Sequence, residues 1–154
     1  MKALFLDIDG VLNTSDTIDH IDGERVCDAD KMILLKSIVD RTECKIVLVS
    51  SKKLYWHRND KERQRAIGNY LDAIFAKYGM QIYDKTEDDG INRGFGVMSW
   101  RAANPCRSIA ILDDTPELYD ILSRLRYLVN VSRDTGLTDK DVERVVALLE
   151  NDGD

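Results

Sequence analysis

The residues equipped for chemistry stand at the ends of apolar runs. Ala3-Leu4-Phe5-Leu6 stops at Asp7-Ile8-Asp9-Gly10-Val11, Ile46-Val47-Leu48-Val49 stops at Ser50-Ser51, and Ile109-Ala110-Ile111-Leu112 stops at Asp113-Asp114. Four carboxylates gathered in one place repel one another unless a cation holds them. With oxygen donors alone, and no His or Cys alongside, such a site selects a hard ion, Mg²⁺. A carboxylate is also a competent nucleophile toward phosphorus. The Ser50 hydroxyl can donate to a phosphoryl oxygen, and a cationic side chain can offset the charge that develops in transfer. Together these parts describe phosphoryl transfer through an aspartyl-phosphate.

For that chemistry the three runs must end at one rim. The chain alternates strand and helix patterns, which predicts a mostly parallel five-stranded sheet covered on both faces, a Rossmann-like three-layer α/β sandwich. Apolar runs over 3–6, 45–49 and 108–112, the second rich in β-branched residues, read as buried strands. Residues 80–83 and 127–131 read as the other two. Ile33, Leu34, Ile38 and Val39 give a loose helical stripe over 29–41. Between Asp60 and Tyr78, Ile67, Tyr70, Leu71, Ile74, Phe75 and Tyr78 recur at helical spacing, with Gly79 placed to end that helix. Pro116 opens a further helix carrying Leu118, Ile121, Leu122 and Leu125. Thr138 caps a last one that buries Val142, Val145, Val146 and Leu149. The length of 154 residues predicts one domain over residues 1–150 and a frayed tail over 151–154. In such sheets ligands bind beyond the carboxyl ends of the strands, where the polar residues stand.

The motifs, in this order, resemble the haloacid dehalogenase (HAD) superfamily of Mg²⁺-dependent phosphohydrolases. Asp7-Ile8-Asp9-Gly10-Val11 matches its first motif, Ile46 to Val49 with Ser50 its second, and Ile109 to Leu112 with Asp113-Asp114 its fourth. The resemblance implies Asp7 as nucleophile. It implies Asp9 as the acid that protonates the leaving oxygen and then the base that activates water. Asp7, the backbone carbonyl of Asp9, and Asp113 are implied as Mg²⁺ ligands, with Asp114 supporting them. Gly10 is implied to turn the chain sharply and bring amides near the phosphate, which Ser50, or Ser51 beside it, contacts. For the cation of the third motif, Arg93 is the choice and Lys85 the competitor, while Arg101 falls further along the same helix.

A narrower resemblance is to small HAD-like domains grouped with RNA-repair proteins, on "FLDIDGVLN", "IVLVSS", "ILDD" and "GLT". The order is also similar to that in the phosphatase half of phage polynucleotide kinase-phosphatases. Those small domains often carry Ser-Ser-Ser-Trp-Arg at the second motif, where this chain has Val49-Ser50-Ser51-Lys52-Lys53. About 40 residues separate Asp9 from Ser50, too few for a sizeable cap. By analogy this implies an open site suited to a large substrate, such as a nucleic-acid end or a protein.

Ser51 to Arg65 holds six Lys/Arg against two acids, interleaved with Tyr55, Trp56 and His57. Cations for phosphates and aromatics for stacking suit a single-stranded end. The same composition suits a solvated face whose aromatics pack inward. Two other classes compete with a phosphatase: a binding or regulatory module that keeps the fold without turnover, and a PIN-type metal-dependent nuclease. The close spacing of Asp7 and Asp9 and the seryl strand end favour the phosphatase. The register excludes an EF-hand, and Gly94-Phe95-Gly96 lacks the full dinucleotide fingerprint.

A net charge of −6, with 44% apolar and 32% charged residues, fits a globular protein without general attraction for nucleic acid or anionic membranes. No apolar run reaches the length of a membrane span. Met1-Lys2-Ala3 leads straight into the first strand, which leaves no room for a signal peptide. Cys27, Cys44 and Cys106 are scattered and odd in number, and His20 and His57 complete no zinc spacing. They read as free thiols of a reducing cytoplasm.

Overall fold

Alternating side chains on β1 (Lys2–Leu6) set the layers of this computed structural model, which describes residues 1–119 and 126–151. Leu4 and Leu6 join one apolar cluster and Ala3 and Phe5 another, all four fully buried. A strand buried on both faces belongs at the centre of a parallel sheet. β1 pairs in parallel with β4 (Lys45–Leu48) and β6 (Ser108–Asp113). β5 (Ile82–Lys85) and β7 (Leu128–Asn130) complete the order β5-β4-β1-β6-β7, parallel throughout.

Three helices cover one face: α1 (Ala29–Thr42), α2 (Ala66–Lys77) and α4 (Asp139–Glu150). Met32, Leu35 and Ile38 of α1, Leu71 and Phe75 of α2, and Val142, Val145 and Leu149 of α4 pack on Leu4, Leu6, Leu48 and Leu112. On the other face α3 (Arg93–Ala103) sets Val97 and Trp100 against Phe5, Val47 and Ile111. Trp100 meets Phe5 edge to face, at 5.5 Å between ring centres. The three-layer α/β expectation is thereby met. Among the described residues no helix is long and apolar enough to cross a membrane.

Several boundaries differ from the sequence pattern, each for a local reason. The α1 stripe runs through Met32, Leu35 and Ile38, and Ile33 is 60% exposed. β5 starts two residues later than predicted, because Gly79 (φ +73°) and Met80 still close the end of α2 through Gly79 N–H to Ala76 and Met80 N–H to Phe75. Two short 3₁₀ turns, Ser51–Tyr55 and Lys61–Arg63, precede α2. Pro116 opens a 3₁₀ turn over the described residues to Tyr119; Ile121, Leu122 and Leu125 of the expected helix lie outside the described residues. Thr138 caps α4 as expected, in a reciprocal capping box with Asp141. Between Asp9 and α1 the chain forms a small antiparallel hairpin, β2 (His20–Ile21) and β3 (Glu24–Arg25). No separate cap domain is present among the described residues.

Candidate active site

The register brings the polar strand ends level. Leu6 stands beside both Leu48 and Leu112. Beyond them Asp7 N–H donates to the Leu112 carbonyl (2.9 Å) and Val49 N–H to the Leu6 carbonyl (3.0 Å). One more residue along each strand reaches Ser50 and Asp113. Asp7, Asp113 and Asp114 each offer a carboxylate oxygen, all within 4.8 Å of one another. Asp7 is 3% exposed and Asp113 fully buried.

So much buried negative charge has a measurable consequence. Burial, then the Asp113 carboxylate, push the Asp7 carboxyl well above its usual range, against the lowering influence of Arg93. Three oxygen donors with excess negative charge suit a hard divalent cation. Asp9 is placed differently. Its Oδ1 accepts from Lys52 Nζ (2.9 Å) and Asn13 Nδ2 (3.0 Å), with Arg25 Nη2 at 3.9 Å. Its Oδ2 has no protein donor among the described residues. The Asp9 carboxylate is therefore held apart from the cluster of Asp7, Asp113 and Asp114.

Arg93, the first residue of α3, reaches into this cluster. Its Nη1 lies 2.7 Å from Asp113 Oδ2 and 3.2 Å from Asp7 Oδ1, and its Nη2 lies 3.5 Å from Ser51 Oγ. Burial disfavours its charge, but Asp7 and Asp113 outweigh that and raise its pKa. Tyr119 donates from the far side to Asp113 Oδ2 (2.5 Å). The competitor Lys85 is spent on structure, donating to the carbonyls of Lys53 (3.0 Å) and Trp56 (2.8 Å). Arg101 lies over the Tyr127 ring instead.

Ser50 is buried, and its Oγ accepts the Lys52 N–H (3.2 Å), so its own hydroxyl proton remains for an incoming group. Ser51 is exposed at the rim beside Gly90. Gly10 has φ +81°, and a Cβ there would overlap Asp114 Oδ2. Its N–H already donates to Asn13 Oδ1 (3.0 Å), so its contribution is the turn and the space.

The basic stretch after Ser50 is largely paired. Lys52 and Lys53 are buried, Arg58 meets Asp84 (3.4 Å), Lys61 meets Asp72 (3.0 Å), and Arg63 lies 3.9 Å from Asp60. Trp56 is 1% exposed and donates to Asp72. Arg65 and Tyr55 remain open, lining a cleft with Asp22 and Glu24 of the hairpin. Residues missed by sequence reasoning are Asn13, Lys52, Lys53, Asp88 and Tyr119. Lys52-Lys53 did carry a signal, as the place where the second motif departs from Trp-Arg.

The three thiols are free. Burial pushes Cys27 up to about 12, which leaves it inert as a nucleophile.

No curated protein gives a significant match to the chain. A family model described as the HAD domain in Swiss Army Knife RNA repair proteins matches residues 3–142. That span runs from β1 into α4 and takes in every element that carries a site residue, so the chain belongs to this HAD domain family of RNA repair proteins.

Proposed function

We propose that the protein is a Mg²⁺-dependent phosphatase that removes a phosphate monoester through an aspartyl-phosphate, with a nucleotide or polynucleotide end as preferred substrate. The observation that carries this reading is the cluster of Asp7, Asp113 and Asp114 at the strand ends with Arg93 bonded into it. Mg²⁺ on Asp7, Asp113 and the Asp9 carbonyl, with Asp114 in support, would supply charge neutralisation for the phosphate.

Asp7 attacks phosphorus in line, forming the new P–O bond as the bond to the leaving alkoxide breaks. Asp9 gives that oxygen its proton from Oδ2, since Lys52 and Asn13 occupy Oδ1. Arg93 and the Ser50 hydroxyl stabilise the phosphoryl oxygens. Asp9, now a carboxylate, takes a proton from water, which attacks the acyl phosphate and returns Asp7 and free phosphate.

Three features support a polynucleotide end: the uncapped site, the open Tyr55 and Arg65 of the stretch that follows Ser50, and the RNA repair proteins for which the family is named. The free thiols support a cytoplasmic setting. The test is phosphate release from nucleotides, 3′- and 5′-phosphorylated oligonucleotides, sugar phosphates and phosphopeptides, with and without Mg²⁺. We expect Mg²⁺-dependent release, fastest from an oligonucleotide end. Equal release with a chelator would overturn the metal assignment, and faster release from sugar phosphates would overturn the substrate class.

A further inference from the structure

We infer that Lys53 and Asp88 are positioning residues that hold Arg93 in register with the phosphate-binding serine end. The inference rests on the phosphatase reading for what Arg93 does, though not for where Arg93 is held. Lys53 Nζ and Asp88 Oδ1 are 2.7 Å apart, with side chains 1% and 2% exposed. Lys53 also donates to Thr86 Oγ1 (2.9 Å), which donates to Asp88 Oδ1 (2.6 Å). Neither charge is open to solvent, so neither meets a substrate.

From this pair a continuous set of bonds leads to the reacting centre. Asp88 Oδ2 accepts the Gly90 N–H (2.8 Å), and the Gly90 carbonyl accepts Arg93 Nε (2.8 Å). Gly90 has φ +88°, a conformation in which the loop can turn back on itself. α3 is seated on the same carboxylate, because a Cβ on Gly96 would overlap Asp88 Oδ1. Lys53 stands three residues after Ser50 and donates its N–H to the Ser50 carbonyl (3.0 Å). The pair therefore couples two donors that come from different elements, the seryl end of β4 and the arginine opening α3.

A buried ion pair is a poor source of stability, since desolvating both charges offsets much of their attraction. Its directionality is a better reason for its place here. Small displacements of a group aimed at a transition state cost far more in rate than in stability.

Nuclear magnetic resonance on the full chain reads the positioning directly, through solvent exchange of the Arg93 Nε–H. Asp88→Asn removes the charge at nearly constant shape. The double variant K53M/D88A removes both charges and guards against a fold lost to one unpaired ion. We expect Arg93 Nε–H exchange at least about tenfold faster in both, with β1 and β6 amides still protected. In the presence of Mg²⁺, kcat on p-nitrophenyl phosphate should fall about 10- to 100-fold. In an Arg93→Ala background the same changes should alter kcat by less than about twofold, because a residue acting through Arg93 has nothing left to act on. Wild-type exchange at Arg93 in both variants would overturn the inference, as would equal losses of kcat in both backgrounds. A wild-type protein that releases no phosphate overturns the functional reading instead, and the exchange rates still decide the positioning.

Discussion

Arg93 and Asp113 are 20 positions apart, one opening a helix and the other ending a strand, yet their side chains meet at 2.7 Å inside the protein. This one guanidinium stands against the carboxylates of Asp7, Asp113 and Asp114. Burial first, and then the Asp113 carboxylate, keep Asp7 raised despite its cationic neighbour. A site in this condition gains from a divalent ion whatever its substrate.

Mg²⁺ should therefore stabilise the fold. A ligand that binds only the native state at 100 times its Kd contributes about 2.7 kcal/mol. For a chain of this size that is on the order of 5–10 °C in Tm. Differential scanning fluorimetry with Mg²⁺ and with chelator checks this, and Asp113→Asn should remove the difference. An unchanged wild-type Tm across millimolar Mg²⁺ would count against the assignment.

Asp7→Asn should abolish turnover, by at least about a thousandfold in kcat, as loss of a nucleophile does. The same change should raise Tm in Mg²⁺-free buffer near neutral pH. A carboxyl raised on folding costs stability that grows as the pH rises above its unfolded value and is complete above its folded one, and the amide carries no such cost. Loss of activity with a lowered Tm would instead mean damage to the fold.

The parts of the site legible in the sequence were those written in local chemistry. β1, β4 and β6 are buried on both faces, so their runs are apolar, and a charged residue ending such a run stands out. Arg93 was legible because it opens a helix at a fixed distance before Asp113. The hairpin β2–β3 was not, for two-residue strands built from His20, Ile21, Glu24 and Arg25 show no alternation to read. Lys52 and Lys53 were read with an exposed basic stretch, but their partners Asp9 and Asp88 lie 43 and 35 positions away. Pairing over such separations leaves no mark on local pattern.

Gly10 offers a controlled comparison with Gly23. Both have φ near +80°, but a Cβ at Gly10 would overlap Asp114, whereas one at Gly23 meets nothing within 4 Å. Gly23→Ala should cost only the backbone term, about 1–2 kcal/mol. Gly10→Ala should cost more and also depress kcat at least about tenfold, because Asp114 must move from the other carboxylates. Urea denaturation and steady-state assays on the two variants test this. Equal effects from both would show that the space beside Asp114 does not matter.

Asp88 has a pH signature of its own. Burial alone would raise its carboxyl, but donors from Lys53, Thr86 and the Gly90 amide prevail and hold it below 3.8. Burial also keeps the Lys53 ammonium below its ordinary value, against the raising influence of Asp88. A carboxyl depressed on folding contributes stability that is whole above its unfolded value and is lost as the pH falls through its folded one. Removing one partner of a buried pair costs about 3–5 kcal/mol, so Asp88→Asn should lower the urea midpoint by about 1–3 M near neutral pH. That gap should hold down to about pH 4 and narrow only below it, as the carboxyl of the unfolded wild-type chain takes up its proton. Denaturation curves for both proteins across this range decide the matter. A gap that closes between about pH 7 and 5 would assign the stabilisation to another group, and one unchanged to about pH 3 would show that the Asp88 charge is not its source.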